Sequence, residues 1–160
     1  MPLFPPLRRL AWVFYGYDGG KHVKGRKRHI IVDTLGLLWM VVVSLANMND
    51  RWGAIAAMLQ LSDNGQQLQV LYVDQGYTGE WFARAVLQLV GAQVEVVKKK
   101  ETGFSVLPKR WIVERTLSWL TQNRRLSKDY ELLPEVSETM IYVAMIRLIL
   151  RRLTDKKLAA

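Results

Sequence analysis

VLYVDQGYTG, residues Val70–Gly79, is the stretch whose reading decides the fold. Four apolar residues with β-branched and aromatic side chains stop at Asp74. Gly76, Thr78 and Gly79 follow with the composition of a loop leading into a helix. The pattern is a strand running into a turn, with an acid at the strand's end. Sheet-based enzymes commonly place their chemistry on such a rim. An Asp at that position also caps turns with its own side chain. Asp74 is therefore both a candidate catalytic or metal-ligating residue and a candidate turn cap.

Outward from this strand, Glu80–Val90 has a helical spacing of apolar residues at Trp81, Phe82, Ala85, Val86 and Leu89, and Val94–Val97 reads as a short strand. Upstream, Asn49 is an N-cap for a helix over Asp50–Leu61, with Trp52, Ile55, Ala56 and Leu59 as its buried side. Arg28–Thr34 and Leu37–Leu45 read as two strands, and the short link Thr34–Gly36 makes them an antiparallel pair. Their near-continuous apolar content predicts burial on both faces. Leu10–Tyr15, LAWVFY, is a further strand-like run behind a proline-rich lead. Strands alternating with helices after a hairpin predict an α/β fold, a mixed sheet flanked by helices.

The chain has 160 residues, enough for one domain with a real core, and 23 Lys plus Arg against 14 Asp plus Glu, a formal net charge of +9. That excess favours a polyanionic partner, nucleic acid first, over an ordinary basic surface, because the charge is clustered. YDGGKHVKGRKRH, Tyr17–His29, holds Lys21, Lys24, Arg26, Lys27 and Arg28 among glycines, and reads as a loop and strand start lying along phosphates or as a solvated charged hairpin. There is no cysteine, which excludes disulfides and thiolate metal sites. The apolar runs Leu35–Ala46 and Met140–Leu150 fall well short of the roughly 20 residues of a membrane span and read as core. Met1–Gly16 lacks a cleavage-site pattern and is not read as a signal peptide.

A second acid lies in PKRWIVERTLSWLTQNRRL, Pro108–Leu126. At about 100° per residue, Arg110, Ser118, Thr121 and Arg125 share the face of Glu114, and Ile112, Val113, Thr116, Trp119, Leu120 and Leu126 lie opposite. Arg110 and Glu114 are spaced as a surface ion pair. An acid among arginines also suits a site that binds a divalent cation while its neighbours hold a phosphate strand.

Taken together, GYDGGKHVKGRKRHIIVDTLGLL, VDQGYTG, GFSVLPKRWIVERTLSWLTQNRRLSKDYE and SETMIYVAMIRLILRRL closely resemble, in this order, the C-terminal catalytic part of bacterial insertion-sequence transposases with a DDE active site. The resemblance spans Gly16–Leu153. It implies a ribonuclease-H-like fold and DNA transposition, in which DNA is cut and rejoined with Mg²⁺ held by Asp, Asp and Glu. By position Asp74 matches the second Asp, Glu114 the Glu, and Arg110 the arginine four residues before it. From their clustered charge, Lys21, Lys24, Arg26, Lys27, Arg28, Arg115, Arg124 and Arg125 are the expected DNA contacts, forming one positive surface near Asp74. The expected partners are element ends and target DNA, and a second copy or a full-length transposase. The expected setting is cytoplasmic and nucleoid-associated, without a membrane.

The chain departs from the family at the first Asp, because Met1–Tyr15 contains no acid. Asp18 and Asp33 belong to neighbouring motifs and do not replace it. Thr121 stands where some of the wider superfamily carry a lysine. These departures suggest a truncated or frame-disrupted copy, or the second half of a transposase encoded in two pieces, inactive alone, with residues 1–15 as a non-family lead, 16–153 as a partial catalytic domain and 154–160 as a tail. The other reading is a catalytically dead remnant that binds DNA or full-length transposase. With the first strand missing, Leu10–Tyr15 is expected to serve as its substitute.

Overall fold

The computed structural model describes residues 15–63, 68–97 and 109–154. They form β1 (Gly16–Asp18), β2 (Val23–Val32), β3 (Leu38–Leu45), α1 (Asp50–Asp63), β4 (Val70–Val73), α2 (Glu80–Val90), β5 (Gln93–Val96), α3 (Arg110–Thr121) and α4 (Pro134–Thr154). Leu10–Phe14, and with them the substitute strand, lie outside the described residues.

Among the described residues the strands make two sheets, an antiparallel β1-β2-β3 and a parallel β4-β5. The hairpin β2–β3 turns where expected. Asp33 Oδ1 accepts hydrogen bonds from the amides of Leu35 and Leu37, both at 2.8 Å, and Gly36 takes the positive φ (78°) the reversal needs. The strand β2 starts earlier than the sequence suggested. Its basic residues from Val23 onward are not loop, because β1 and then β3 give them ladder partners.

Strand β3 separates two cores, as its apolar content predicted. Met40 and Val42 pack with Ile55, Met58, Phe82 and Val86 of α1 and α2, whereas Val41 and Val43 pack with Leu120, Leu126, Ile141 and Met145. The outer edge of β3 is covered by α4. Tyr142 Oη and Glu138 Oε1 accept from the Val41 and Val43 amides at 3.2 and 2.7 Å, so that edge offers no free template for another strand.

Helix packing corrects three expectations. α1 buries Gly53, Ile55, Ala57, Met58 and Leu61, leaving Trp52 exposed beside Trp81 of α2, 4.9 Å between ring centres. Its apolar residues run all round the helix, so spacing alone could not choose the face. α3 ends at Thr121, and Asn123 is extended, so Arg124–Leu126 form a separate 3-10 turn and Arg125 is not on the Glu114 stripe. Met140–Leu150 is core on one side only: Ile141 and Met145 are buried, and Val143, Ile146 and Leu150 are exposed.

Candidate active site

The strand β4 ends as its sequence suggests. Asp74 follows Val73 with extended backbone and caps the 3-10 turn Gln75–Tyr77, its Oδ1 accepting from the Gly76 amide at 2.9 Å. Arg51 Nε donates to the Gly76 carbonyl at 3.1 Å, fastening the turn to the first turn of α1, which Asn49 caps by accepting from the Arg51 amide at 3.0 Å. Burial is the main cause that pushes the Tyr77 hydroxyl up to about 12, with Asp50 and Asp74 adding to it, so this phenol stays protonated at neutral pH.

Asp74 opens into a cleft of about 620 Å³ between the two sheets. One wall is His29–Thr34 of β2 and its turn, the other Val70–Asp74, and Lys109, Ile112, Val113 and Glu114 close one side. Over these walls β2 pairs with β3 alone and β4 with β5 alone, so each strand has an edge without a strand partner among the described residues. Asp74 and Glu114 thus border one cavity. Val113, expected on the core side of α3, is exposed toward it. Lys109, which the motif reading passed over, holds its ammonium 3.4 Å from the centre of the Tyr72 ring on the opposite wall. Its signal was its place one residue before the helix that carries Glu114. The side chain of Arg110 lies outside the described residues.

The two acids in the neighbouring motifs have other partners. Asp33 also borders the cleft but is committed to the β2–β3 turn. Asp18 accepts from the Gly20 and Lys21 amides and faces Lys27. The Lys21 amide bond is the largest influence and, with those other partners, outweighs desolvation, so its pKa lies below the ordinary carboxylate value. Among the described residues no group of three or more His, Asp or Glu lies close enough to share a metal ion. Asp74 and Glu114 both border the cleft, and Mg²⁺ is an ion that keeps several waters and takes few protein ligands, whereas two carboxylates fall short of the set that holds two ions.

Several of the expected phosphate contacts have structural work instead. Arg26, its side chain only 1% exposed, pairs with Asp129 at 2.6 Å and donates to the carbonyls of Glu131 and Leu132. Arg28 donates to the Leu126 and Lys128 carbonyls, and burial is the main cause that lowers its pKa, against Asp129 and with Arg26. Lys27 donates to the Met48 carbonyl and pairs with Asp50 at 3.0 Å. Arg115 donates to the Leu35 carbonyl at 2.9 Å and lies over the Trp111 and Trp119 rings. Arg125 is exposed but hydrogen-bonded to Glu131 at 2.7 Å, which raises its pKa further. Lys21, Lys24 and Arg124 are exposed. Side chains of β2 point alternately to the two faces of the sheet, and the carbonyls that receive Arg26 and Arg28 come from residues 126–132, about a hundred positions away, which local spacing does not reveal.

Comparison with known proteins agrees with this architecture. No solved structure matches the chain significantly. A Burkholderia cepacia protein named "Putative transposase for insertion sequence element IS402" is 33% identical over 118 residues, 67% of this chain and 54% of the relative. The chain thus spans about half the length of that relative. Residues 3–149 match the transposase DDE domain, a span that takes in most of the lead before Gly16 as well as both acids. With nearly the whole sequence inside that match, the chain belongs to the transposase DDE domain family of bacterial insertion sequences.

Proposed function

We propose that this chain is the ribonuclease-H-like portion of an insertion-sequence transposase, that Asp74 and Glu114 are two of its metal-binding carboxylates, that Arg110, four residues before Glu114 in α3, is a further site residue, and that by itself the chain holds DNA without cutting it. The observation that carries the reading is the shared cleft, bordered by an acid at a strand end and an acid on a helix. Phosphodiester cleavage by two metals needs the ions roughly 3.5–4 Å apart on a bridging carboxylate, and the first family Asp has no counterpart in the sequence. A Mg²⁺ held by these carboxylates would supply charge neutralisation at a phosphate. The DNA-facing cations in this reading are Lys21, Lys24, Lys109 and Arg124, all exposed, while Arg26, Arg28 and Arg115 hold the scaffold.

The lead Leu10–Tyr15 fits as the strand between β2 and β4, since among the described residues each of these strands has one edge without a strand partner and the segment is apolar. Slow amide exchange at Trp12–Phe14 is the expected result, and rapid exchange there removes this part of the reading.

The test of the function is a pair of measurements on the purified chain. Binding to unrelated duplexes should weaken steeply as salt rises, through counterion release, and Lys21→Ala/Lys24→Ala/Arg124→Ala should weaken it alike for all sequences. Nicking of plasmid or of short duplexes with Mg²⁺ should be absent. Binding that is insensitive to salt would exclude the DNA-holding role, and nicking abolished by Asp74→Asn would show a working site.

A further inference from the structure

The end of α3 and the second half of α4 enclose a smaller cavity, a notch of about 160 Å³ bordered by Trp119, Gln122 and Asn123 on one side and by Arg147 and Arg151 on the other. It is separate from the cleft. No residue lines both, and Gln122 lies eight positions beyond Glu114 along α3 and its cap, about 12 Å at the rise of a helix.

Arg147 and Arg151 stand one helical turn apart on the same face of α4, are exposed, and pair with no acid among the described residues. No acid borders the notch. Arginines beside the end of a neighbouring helix ordinarily cap its carbonyls, but here that role is filled. The Ser118, Trp119 and Leu120 carbonyls accept from Thr121 Oγ1, Asn123 Nδ2 and the Gln122 and Asn123 amides at 2.9 to 3.3 Å. Arg152 lies 4.1 Å from the centre of the Trp119 ring and is engaged there. Two guanidinium groups are thus left facing an acid-free concavity, with the exposed Gln122 side chain across from them. An arginine pair on an open helix face is ordinary solvated charge. The concavity makes the difference, because a group seated in it is met from two elements at once by donors shaped for an oxyanion.

We propose that this notch is a phosphate site outside the cleft, in which Arg147 and Arg151 grip the phosphate oxygens and Gln122 donates from the opposite wall. The phosphate comes from a DNA backbone or is free in solution. The first source rests on the DNA-holding role proposed above, and Arg124, two positions past Gln122, leads from the notch to the cations of that role. The site owes nothing to the metal reading, since none of its residues borders the cleft.

Two titrations on the purified full chain test it. In thermal melts, inorganic phosphate should give the wild type a saturable rise in melting temperature beyond that given by chloride at equal ionic strength. Arg147→Gln/Arg151→Gln should lose the saturable part and keep only the gradual salt effect. Arg147→Lys/Arg151→Lys, which preserves the charge but not the guanidinium fork, should lose most of it as well. In binding to a short duplex, Arg147→Gln/Arg151→Gln should lower the slope of log affinity against log salt by about one, the mark of one phosphate contact, alike for all sequences. Arg84→Gln/Lys128→Gln, which removes the same charge from exposed positions elsewhere, should match the wild type in both titrations. A lowered salt slope, with or without the phosphate response, makes a DNA phosphate the ligand; a phosphate response with an unchanged slope makes it free phosphate. No saturable response together with an unchanged slope overturns the proposal, and so does a control variant that behaves like the arginine variant. A chain that binds no duplex would remove the DNA-holding role, and the phosphate titration alone would then decide the site.

Discussion

The two walls of the cleft are built to different standards. The β2–β3 wall is a ladder running from Arg26↔Leu45 to Val32↔Leu38, with core on both faces of β3, an edge covered by α4, and Arg26 and Arg28 tying it to the segment around Leu126–Leu132. The β4–β5 wall is four residue pairs long, and its Val70 and Tyr72 side chains are exposed. Asp74 stands on the second wall, whereas Glu114 stands on a helix tied to the first through Arg115 and Thr116. The two acids therefore stand on different walls, and among the described residues α1, which packs on both β3 and α2, is a link between them. Amide exchange should register the difference between the walls directly, with β4–β5 amides opening at lower free energy than those of β2–β3; equal protection would remove the distinction.

The largest expected effect comes from breaking the strong wall. Arg26→Ala strands Asp129 and frees two carbonyls, and should cost about 3–5 kcal/mol in denaturant unfolding. Arg26→Lys should not restore this, because an ammonium cannot reproduce the fork. Next comes the seat of α1. A Cβ on Gly53 would sit 2.2 Å from the His29 ring, so Gly53→Ala should destabilise by roughly 1–3 kcal/mol and shift the transition for both walls together.

A smaller effect follows from His29 itself, buried with Nε2 2.7 Å from Ser44 Oγ. Burial is the main cause that lowers its pKa below the ordinary 6.5, against the charge of Asp50. The folded state then binds its proton less readily than the unfolded chain. Stability from this group is complete above pH 6.5 and is lost as pH falls through the folded pKa. His29→Gln should flatten that acid limb in thermal melts from pH 7 downward; an unchanged slope would count against it. The smallest effect should be Asp74→Asn, within about 0.5 kcal/mol, because an amide oxygen can keep the cap to Gly76. The same change should abolish any rise in melting temperature on adding Mg²⁺, which links the weak wall to the proposed metal site.

Much of this was legible in the sequence for physical reasons. Both acids are found where local patterns put them, Asp74 at the end of an apolar run and Glu114 on a helical stripe, and the β2–β3 turn announced itself through Asp33 and Gly36. What stayed hidden depended on long-range contact. The inward commitment of Arg26 and Arg28 requires residues about a hundred positions away to supply carbonyls, and no local pattern records that. The end of α3 at Thr121 was hidden too, since Gln122 and Asn123 do not interrupt a helical wheel and the break shows only in the backbone. On α1 and α4 apolar residues occupy more than one face, so composition announced a helix without saying which side was core.

Two consecutive residues of α3 grip the same turn. Arg115 Nη2 donates to the Leu35 carbonyl at 2.9 Å, and Thr116 Oγ1 donates to the Gly36 carbonyl at 2.7 Å. A cylinder held at two adjacent points by a fixed hairpin can neither roll nor slide along its axis without breaking both holds. Glu114, one position earlier, is then left with little more than its own side-chain torsions as freedom of movement. Its bearing is referred to the tip of the β2–β3 hairpin, so a lengthened or shortened hairpin would re-aim this carboxylate without altering any residue that borders it.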